Sequence, residues 1–327
     1  MEDPFGDYKP YYRPDPLSPM RLIPLFLAVS CLAGCAHRPR VLILDGQNNH
    51  DWPRTTAALR ATLTATKRFT VAVSTTPAKG APAAEWDSWQ PRFAAADAVV
   101  SNYNGEAWPE RVRRAFVAYV EGGGGVVVVH AANNPFPEWP EWNEMIGLGW
   151  RKPDYGDRIT IEDATGALVR TPKGEGPGAG HGPSHVFVVK VRAAGHPIMS
   201  GLPAQWKHGR DQLSHGQRGP GRNMTVLDSA FSARETGGTG EHEPMTWVIP
   251  YGKGRVVTTL LGHQWHDQAD QSALDCVGFQ TVFARSVEWV ATGAVTMKVP
   301  ADFPTADKES IRSAASPAAS GTDAPRR

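Results

Sequence analysis

The sequence predicts an α/β fold: a mainly parallel sheet with helices on both faces, plus β-hairpin additions. Three observations carry this. Short, wholly apolar runs at residues 41–44 (Val-Leu-Ile-Leu) and 126–129 (four valines) suit strands buried on both faces. Between them lie stretches of helical periodicity, in the strand-helix alternation of crossover units. Beyond residue 150 the pattern changes to strand-like runs at 186–191, 224–227 and 246–249.

The elements follow in order. The strand at 41–44 ends in Asp45-Gly46, and residues 52–66 read as a helix carrying Ala58, Leu59, Ala61 and Leu63, with Pro53 tolerated in its first turn. Residues 69–73 form a second strand and 98–100 a third, closed by Ser101-Asn102-Tyr103-Asn104-Gly105. Residues 109–121 place Val112, Phe116, Tyr119 and Val120 on one helical face, opposite Glu110, Arg111, Arg113 and Arg114. Gly122 to Gly125 stop that helix before the valine strand. The strand at 246–249 pairs with 255–261 across a glycine-containing loop at 250–254. A closing helix at 276–290 turns Val277, Val282, Phe283 and Val287 inward. Ligands of such sheets bind outside the carboxyl ends of the strands. The loops after Leu44, Val100 and Val129 are therefore the expected site.

Composition narrows the function. With 34 Lys and Arg against 33 Asp and Glu in 327 residues, the net charge of +1 argues against an electrostatic nucleic-acid binder. A hydrophobic content of 41% excludes general disorder. Met20-Arg21, an apolar stretch at 22–33 and the ending Leu32-Ala33-Gly34-Cys35 read as a secretory signal. That ending resembles the bacterial lipobox. The resemblance implies lipidation of Cys35, a cell-envelope location and, with Ala36 next, contact with outer-membrane lipid. The expected organisation is an upstream extension and signal at 1–34, a lipidated linker at 35–39, one domain at 40–304 and a disordered tail at 305–327. Cys276 is then the remaining thiol, read as helix packing without a base nearby.

Histidines at strand ends are the strongest chemical signal. His50 lies in the loop after the first strand, and His130 directly follows the valine strand. His181 and His185 stand four apart, His208, Asp211 and His215 cluster, and His242-Glu243 precedes a strand. His263-Gln264-Trp265-His266-Asp267 follows another strand. The spacings within His181/His185 and His263/His266 can put two ligands on one divalent metal. No Gly-x-Ser-x-Gly elbow occurs, and the glycine run precedes its strand, so neither a serine hydrolase nor a dinucleotide site is indicated.

Several segments together resemble the ThuA-like (trehalose-utilisation) family. They include residues 41–52, 123–130 (Gly-Gly-Gly-Val-Val-Val-Val-His), 195–203 (Gly-His-Pro-Ile-Met-Ser-Gly-Leu-Pro), 218–220 and 223–227. Residues 237–245, 252–256, 261–263 (Leu-Gly-His) and 288–293 continue the match. The resemblance implies a flavodoxin-like fold similar to class I glutamine amidotransferases. It puts His130 where those enzymes hold a nucleophilic cysteine, so glutamine hydrolysis is not expected. It also implies sugar utilisation, including disaccharides oxidised at ring carbon 3. Asp211-Gln212-Leu213-Ser214 departs from the family's Asp-Glu-Leu-Tyr, losing a carboxylate and an aromatic ring.

The expected function is an envelope enzyme acting on a keto-sugar or glycoside by histidine-assisted proton transfer. His130 is the expected base, since an ordinary histidine titrates near about 6.5. His263, Asp211 and His50 would complete the catalytic group. Asn49, Trp52, Asn104, Asn133, His185, Glu243 and Trp265 would bind the sugar, Trp139, Trp142 and Trp150 being further stacking surfaces. Two alternatives stand beside it: a non-catalytic carbohydrate-binding lipoprotein, and a metal-dependent hydrolase. No other cofactor is indicated, and the oligomeric state is open.

Overall fold

The computed structural model describes residues 38–313. Cys35, the signal-like segment and residues 314–327 lie outside the described residues. The first half builds β1 (Arg40–Asp45), α1 (Trp52–Ala65), β2 (Thr70–Thr75), β3 (Ala98–Ser101), α2 (Glu110–Glu121), β4 (Gly125–Val129) and α3 (Pro140–Ile146). The second adds β5 (Asp157–Ile161), β6 (Leu168–Thr171), β7 (His185–Val191), β8 (Gln205–Asp211), β9 (Thr225–Ser232), β10 (Glu241–Tyr251), β11 (Gly254–Thr259) and α4 (Val277–Thr292).

The main sheet runs β2-β1-β3-β4-β11-β10-β9-β7-β8, with β5 and β6 paired off its side. Its first five strands are parallel and the remaining four continue antiparallel, so the expected α/β architecture holds. Successive residues of a strand point to opposite faces. Val127 and Val129 accordingly join Leu59, Leu63 and Phe283 on one face, while Val126 and Val128 join Trp108, Phe116 and Trp142 on the other. The four valines thus supply both cores. Among the described residues, no helix is long and apolar enough to cross a membrane.

Three expectations change. The β10–β11 hairpin closes on Gly252-Lys253 alone, because Tyr251 pairs with Gly254 and Gly252, at φ +56°, takes the positive φ of a tight turn. Cys276 is extended backbone before α4 rather than part of that helix, and His208 lies beside its thiol. Residues 305–313 pack as an ordered strap, where disorder was expected. The Lys207 amide donates to the Thr305 carbonyl at 2.8 Å and the Val277 amide to that of Ser310 at 2.9 Å. The strap thereby covers part of the edge strand β8, which otherwise presents unpaired backbone groups.

Gly125 sets how closely α4 lies on β4, since a methyl there would run into the Val290 carbonyl. Gly125→Ala is expected to destabilise the fold by about 1–3 kcal/mol, as over-packing does. A urea midpoint unchanged from wild type would show that the helix has room to move.

Candidate metal centre and sugar cavity

The carboxyl ends of three parallel strands deliver three imidazoles to one point. The loop after β1 carries His50, β4 runs directly into His130, and the segment after β11 carries His263. Their ring centroids form a near-equilateral triangle with sides of 5.0 Å (His50–His130), 4.9 Å (His50–His263) and 5.1 Å (His130–His263). One ring nitrogen from each lies within 4.8 Å of the other two.

Each ring is anchored differently. His130 sits at φ +47°, a left-handed conformation that non-glycine residues adopt at a cost. Its Nδ1 donates to the Leu260 carbonyl at 2.7 Å, which leaves the lone pair on Nε2. His50 Nδ1 donates to the amide oxygens of Asn48 and Asn49 at 3.1 and 3.0 Å, again freeing Nε2. Trp265 stacks on the His50 ring at 4.3 Å. Both ring nitrogens of His263 are buried and have no hydrogen-bond partner among the described residues.

Burial drives the electrostatics. It pushes the His50 imidazole down to about 2 and that of His263 to about 3, with the neighbouring imidazoles adding to the shift. His130 is lowered too, burial outweighing the pull of Asp211 and of its bond to Leu260. All three rings are therefore neutral near pH 7. Converging lone pairs on neutral imidazoles, one ring lacking any other partner, are a donor set that fits a divalent cation such as zinc.

Asp211 does not line the cavity. Fully buried at the end of β8, it accepts from His208 Nε2 at 2.7 Å and the Gly262 amide at 2.8 Å on Oδ2. Its Oδ1 accepts from the Gln212 amide at 2.7 Å and the His263 amide at 3.3 Å. Burial alone would raise this carboxyl, but the bond to His208 and its charge outweigh that and hold it low. Asp211 is thus a positioning residue for the turn that carries His263.

The cavity beside the triad has a volume of about 190 Å³. His50, His130, Asn49, Asn133 and Trp265 line it as expected, together with His181. The linear metal spacings do not survive. Of those four residues His181 alone lines the cavity, while His263 belongs to the triad beside it and His185 and His266 to neither. Trp52 and Asn104 line an adjoining cleft. Trp139 and Trp142 are buried in the aromatic core around α2. Glu243 is buried and spent on an ion pair with Arg158 and on bonds from Thr239 Oγ1 at 2.7 Å and the Gly216 amide at 3.1 Å. Asn134 lines the cavity without having been singled out in the sequence. So do Gln212 and Ser214, whose signal was their departure from the family pattern.

The family model described as trehalose utilisation, ThuA, matches residues 40–290. The chain belongs to the ThuA family. A ThuA-like protein from Parabacteroides merdae is 39% identical, with a TM-score of 0.80 over 85% of this chain and 99% of its own. A second ThuA-like protein, from Bacteroides uniformis, shares the fold at 16% identity and a TM-score of 0.51, over 80% of this chain and 94% of its own. No curated protein sequence matches the chain. In this ThuA member, then, Gln212 and Ser214, singled out in the sequence by the resemblance alone, stand on the wall of the histidine cavity.

Two outcomes follow from the buried groups. Asp211→Ala strands His208 and three backbone amides, and is expected to cost about 3–5 kcal/mol in denaturant unfolding. A loss below about 1 kcal/mol would mean the clamp is dispensable. Because folded His50 and His263 titrate below the unfolded value of about 6.5, the unfolded chain takes up protons first and stability is lost as pH falls through that value. His50→Gln should flatten the fall in Tm between about pH 7 and 5; an unchanged slope would show that His50 carries no such penalty.

Proposed function

We propose that this ThuA protein is a divalent-metal-dependent enzyme of carbohydrate utilisation that acts on a keto-sugar or related glycoside, held at the cell envelope through Cys35. The observation that carries the reading is the triad His50, His130 and His263, three neutral imidazoles with converging lone pairs. Such a cation, when bound, would act as a Lewis acid on a sugar carbonyl or the enediolate derived from it.

The chain's own residues have separate tasks. His50, His130 and His263 would hold the ion. The Leu260 carbonyl and Asp211 orient two of them from outside, as outer-shell partners do. His130 suits a ligand better than the base expected of it, because an imidazole whose charged form is so disfavoured accepts a proton poorly near pH 7. His181, exposed at the cavity wall with its Nδ1 engaged by the Gly182 carbonyl, is the group placed to pass a proton between substrate and water. Asn133, Gln212 and Ser214 offer hydrogen bonds to hydroxyls, and Trp150, 37% exposed, offers a face for a ring. A carbonyl acidifies its neighbouring C–H, so isomerisation or elimination of a glycosidic oxygen is the reaction class that this set serves.

One observation favours a second reading, a non-catalytic sugar-binding protein. Among the described residues that line the cavity there is no carboxylate, and Gln212 stands where the resemblance implies a Glu.

The test follows 3-keto-disaccharides by NMR in deuterated buffer, with the full chain stripped of metal and then reloaded. Metal-dependent product formation, or deuterium entering beside the carbonyl, is expected. His130→Ala should weaken metal binding by more than the roughly 10–100-fold that loss of an outer-shell partner costs, and should abolish turnover. Binding without exchange or turnover would establish the non-catalytic reading. Full turnover by the stripped protein would sink the metal.

A further inference from the structure

His181 stands on a loop that no hydrophobic packing holds. Five of the eleven residues 172–182 are glycine, and none of the eleven is buried. Glycine-rich chain loses much conformational freedom on ordering, and apolar burial does not offset that loss here. The order of the loop has to come from hydrogen bonds.

Those bonds converge on Arg218, whose side chain is fully buried. Its Nε donates to the Pro177 carbonyl at 3.1 Å, and Nη2 to the same oxygen at 2.8 Å. Nη2 also donates to the Glu175 carbonyl, and Nη1 to those of Pro172 at 3.3 Å and Gly156 at 3.0 Å. Three of these four carbonyls belong to the loop. Single amides add to them, Gly174 donating to the Pro153 carbonyl at 2.8 Å and Ala179 to that of Arg151 at 3.0 Å. A guanidinium carries five N–H donors in a fixed planar fork, so the loop is wrapped on a rigid template. Burying a cation against uncharged carbonyls is costly, which suits a position where geometry counts for more than stability.

The backbone of Arg218 is fixed from the other side. Its amide donates to the Gly149 carbonyl at 3.0 Å, and its carbonyl accepts from the Gly149 amide at 2.8 Å. Arg218 and Gly219 also pair with β5. Gly149 precedes Trp150, whose ring lies 5.7 Å from that of His181. At the far end of the loop Gly180-His181 pairs with Ser214-His215, which sets His181 beside Ser214. Arg218 thus joins the stretch bearing Trp150 to the loop bearing His181, two parts of one cavity wall.

We infer that Arg218 is a positioning residue for proton transfer, its guanidinium holding loop 172–182 so that the His181 imidazole stands at the cavity wall. The inference rests on the reading of His181 as the proton-passing group of a metal enzyme, and it names what fixes that group.

Two variants of the zinc-loaded full chain test it, with deuterium exchange beside the carbonyl of 3-keto-trehalose as the measured rate. Arg218→Lys keeps the charge but loses the fork. Gly176→Val leaves the core untouched and acts from the exposed side, because a β-branched residue is strained at the φ of +68° found there. In both, amide hydrogen exchange of residues 172–182 should quicken while zinc affinity stays within about twofold. The rate should fall at least about tenfold, towards the roughly 100-fold or greater loss expected of His181→Ala. Added imidazole should restore part of the rate in all three, a rescue that a merely less stable protein would not show. Either variant combined with His181→Ala should be no slower than His181→Ala alone. An unchanged rate in Gly176→Val despite faster amide exchange, or losses that multiply in the combined variants, would overturn the positioning role and leave the metal-enzyme reading in place. A wild type that neither exchanges nor turns over the sugar would overturn both.

Discussion

The buried carboxylate of Asp211 is the constraint on which the site depends. It stands at the end of an edge strand, yet two of its four hydrogen bonds reach into another part of the chain, to the amides of Gly262 and His263. In a dry interior such a charge persists only if fully paired, and His208 supplies the counter-charge. The consequence is directional. His263 has no hydrogen bond on its own ring, so its orientation is inherited from the backbone that Asp211 clamps. His130 is held instead by the strand end and the Leu260 carbonyl, and His50 by two asparagines and the Trp265 face. Three independent anchors meet at one point because the parallel strands all end on the same side of the sheet.

Holding three neutral imidazoles together has a cost. Protonating any one is disfavoured by burial, and for His50 and His263 by the neighbouring rings as well. A buried polar nitrogen without a partner lowers stability further, by roughly 1–3 kcal/mol. The backbone of His130 adds strain from its positive φ. A fold that concentrates an unpaired imidazole, a left-handed residue and a buried charge within one small region departs from local optimality where a site is expected to do so.

The distribution of legible and illegible features follows from what a linear pattern can report. The parallel strands were legible because wholly apolar runs and helical periodicity are local properties. The loops bearing His50 and His130 were legible because strand ends are where such sheets bind ligands. His50, His130 and His263 were named together as one catalytic group, but their fitness as a metal-binding triad was not legible, because they come from the beginning, middle and end of the chain and share no spacing. Spacing instead joined His181 to His185 and His263 to His266, whereas of these four only His181 lines the cavity and only His263 joins the triad. Glu243 read as a free polar group because its partner Arg158 is distant in sequence. The strap at 305–313 escaped composition altogether, since backbone bonds to β8 and to the start of α4 ask little of the side chains that carry them.

The cavity wall also limits the chemistry. Direct glycoside hydrolysis uses a pair of carboxyl groups, roughly 5–9.5 Å apart, one protonating the leaving oxygen and the other acting as base or nucleophile. Among the described residues, no carboxylate lines this cavity, and Asp211 and Glu243 are both committed to buried pairs behind it. Gln212 and Ser214 can donate and accept hydrogen bonds but carry no charge. On the proposed reading, bond cleavage would act on a substrate already activated by a carbonyl, whose developing oxyanion calls for positive charge rather than a strong acid. Neutral imidazoles gathered around one point would supply that charge through a cation of the kind proposed to bind them. The absence of a carboxylate from the described cavity lining and the gathering of the triad are both consistent with that proposed reaction class.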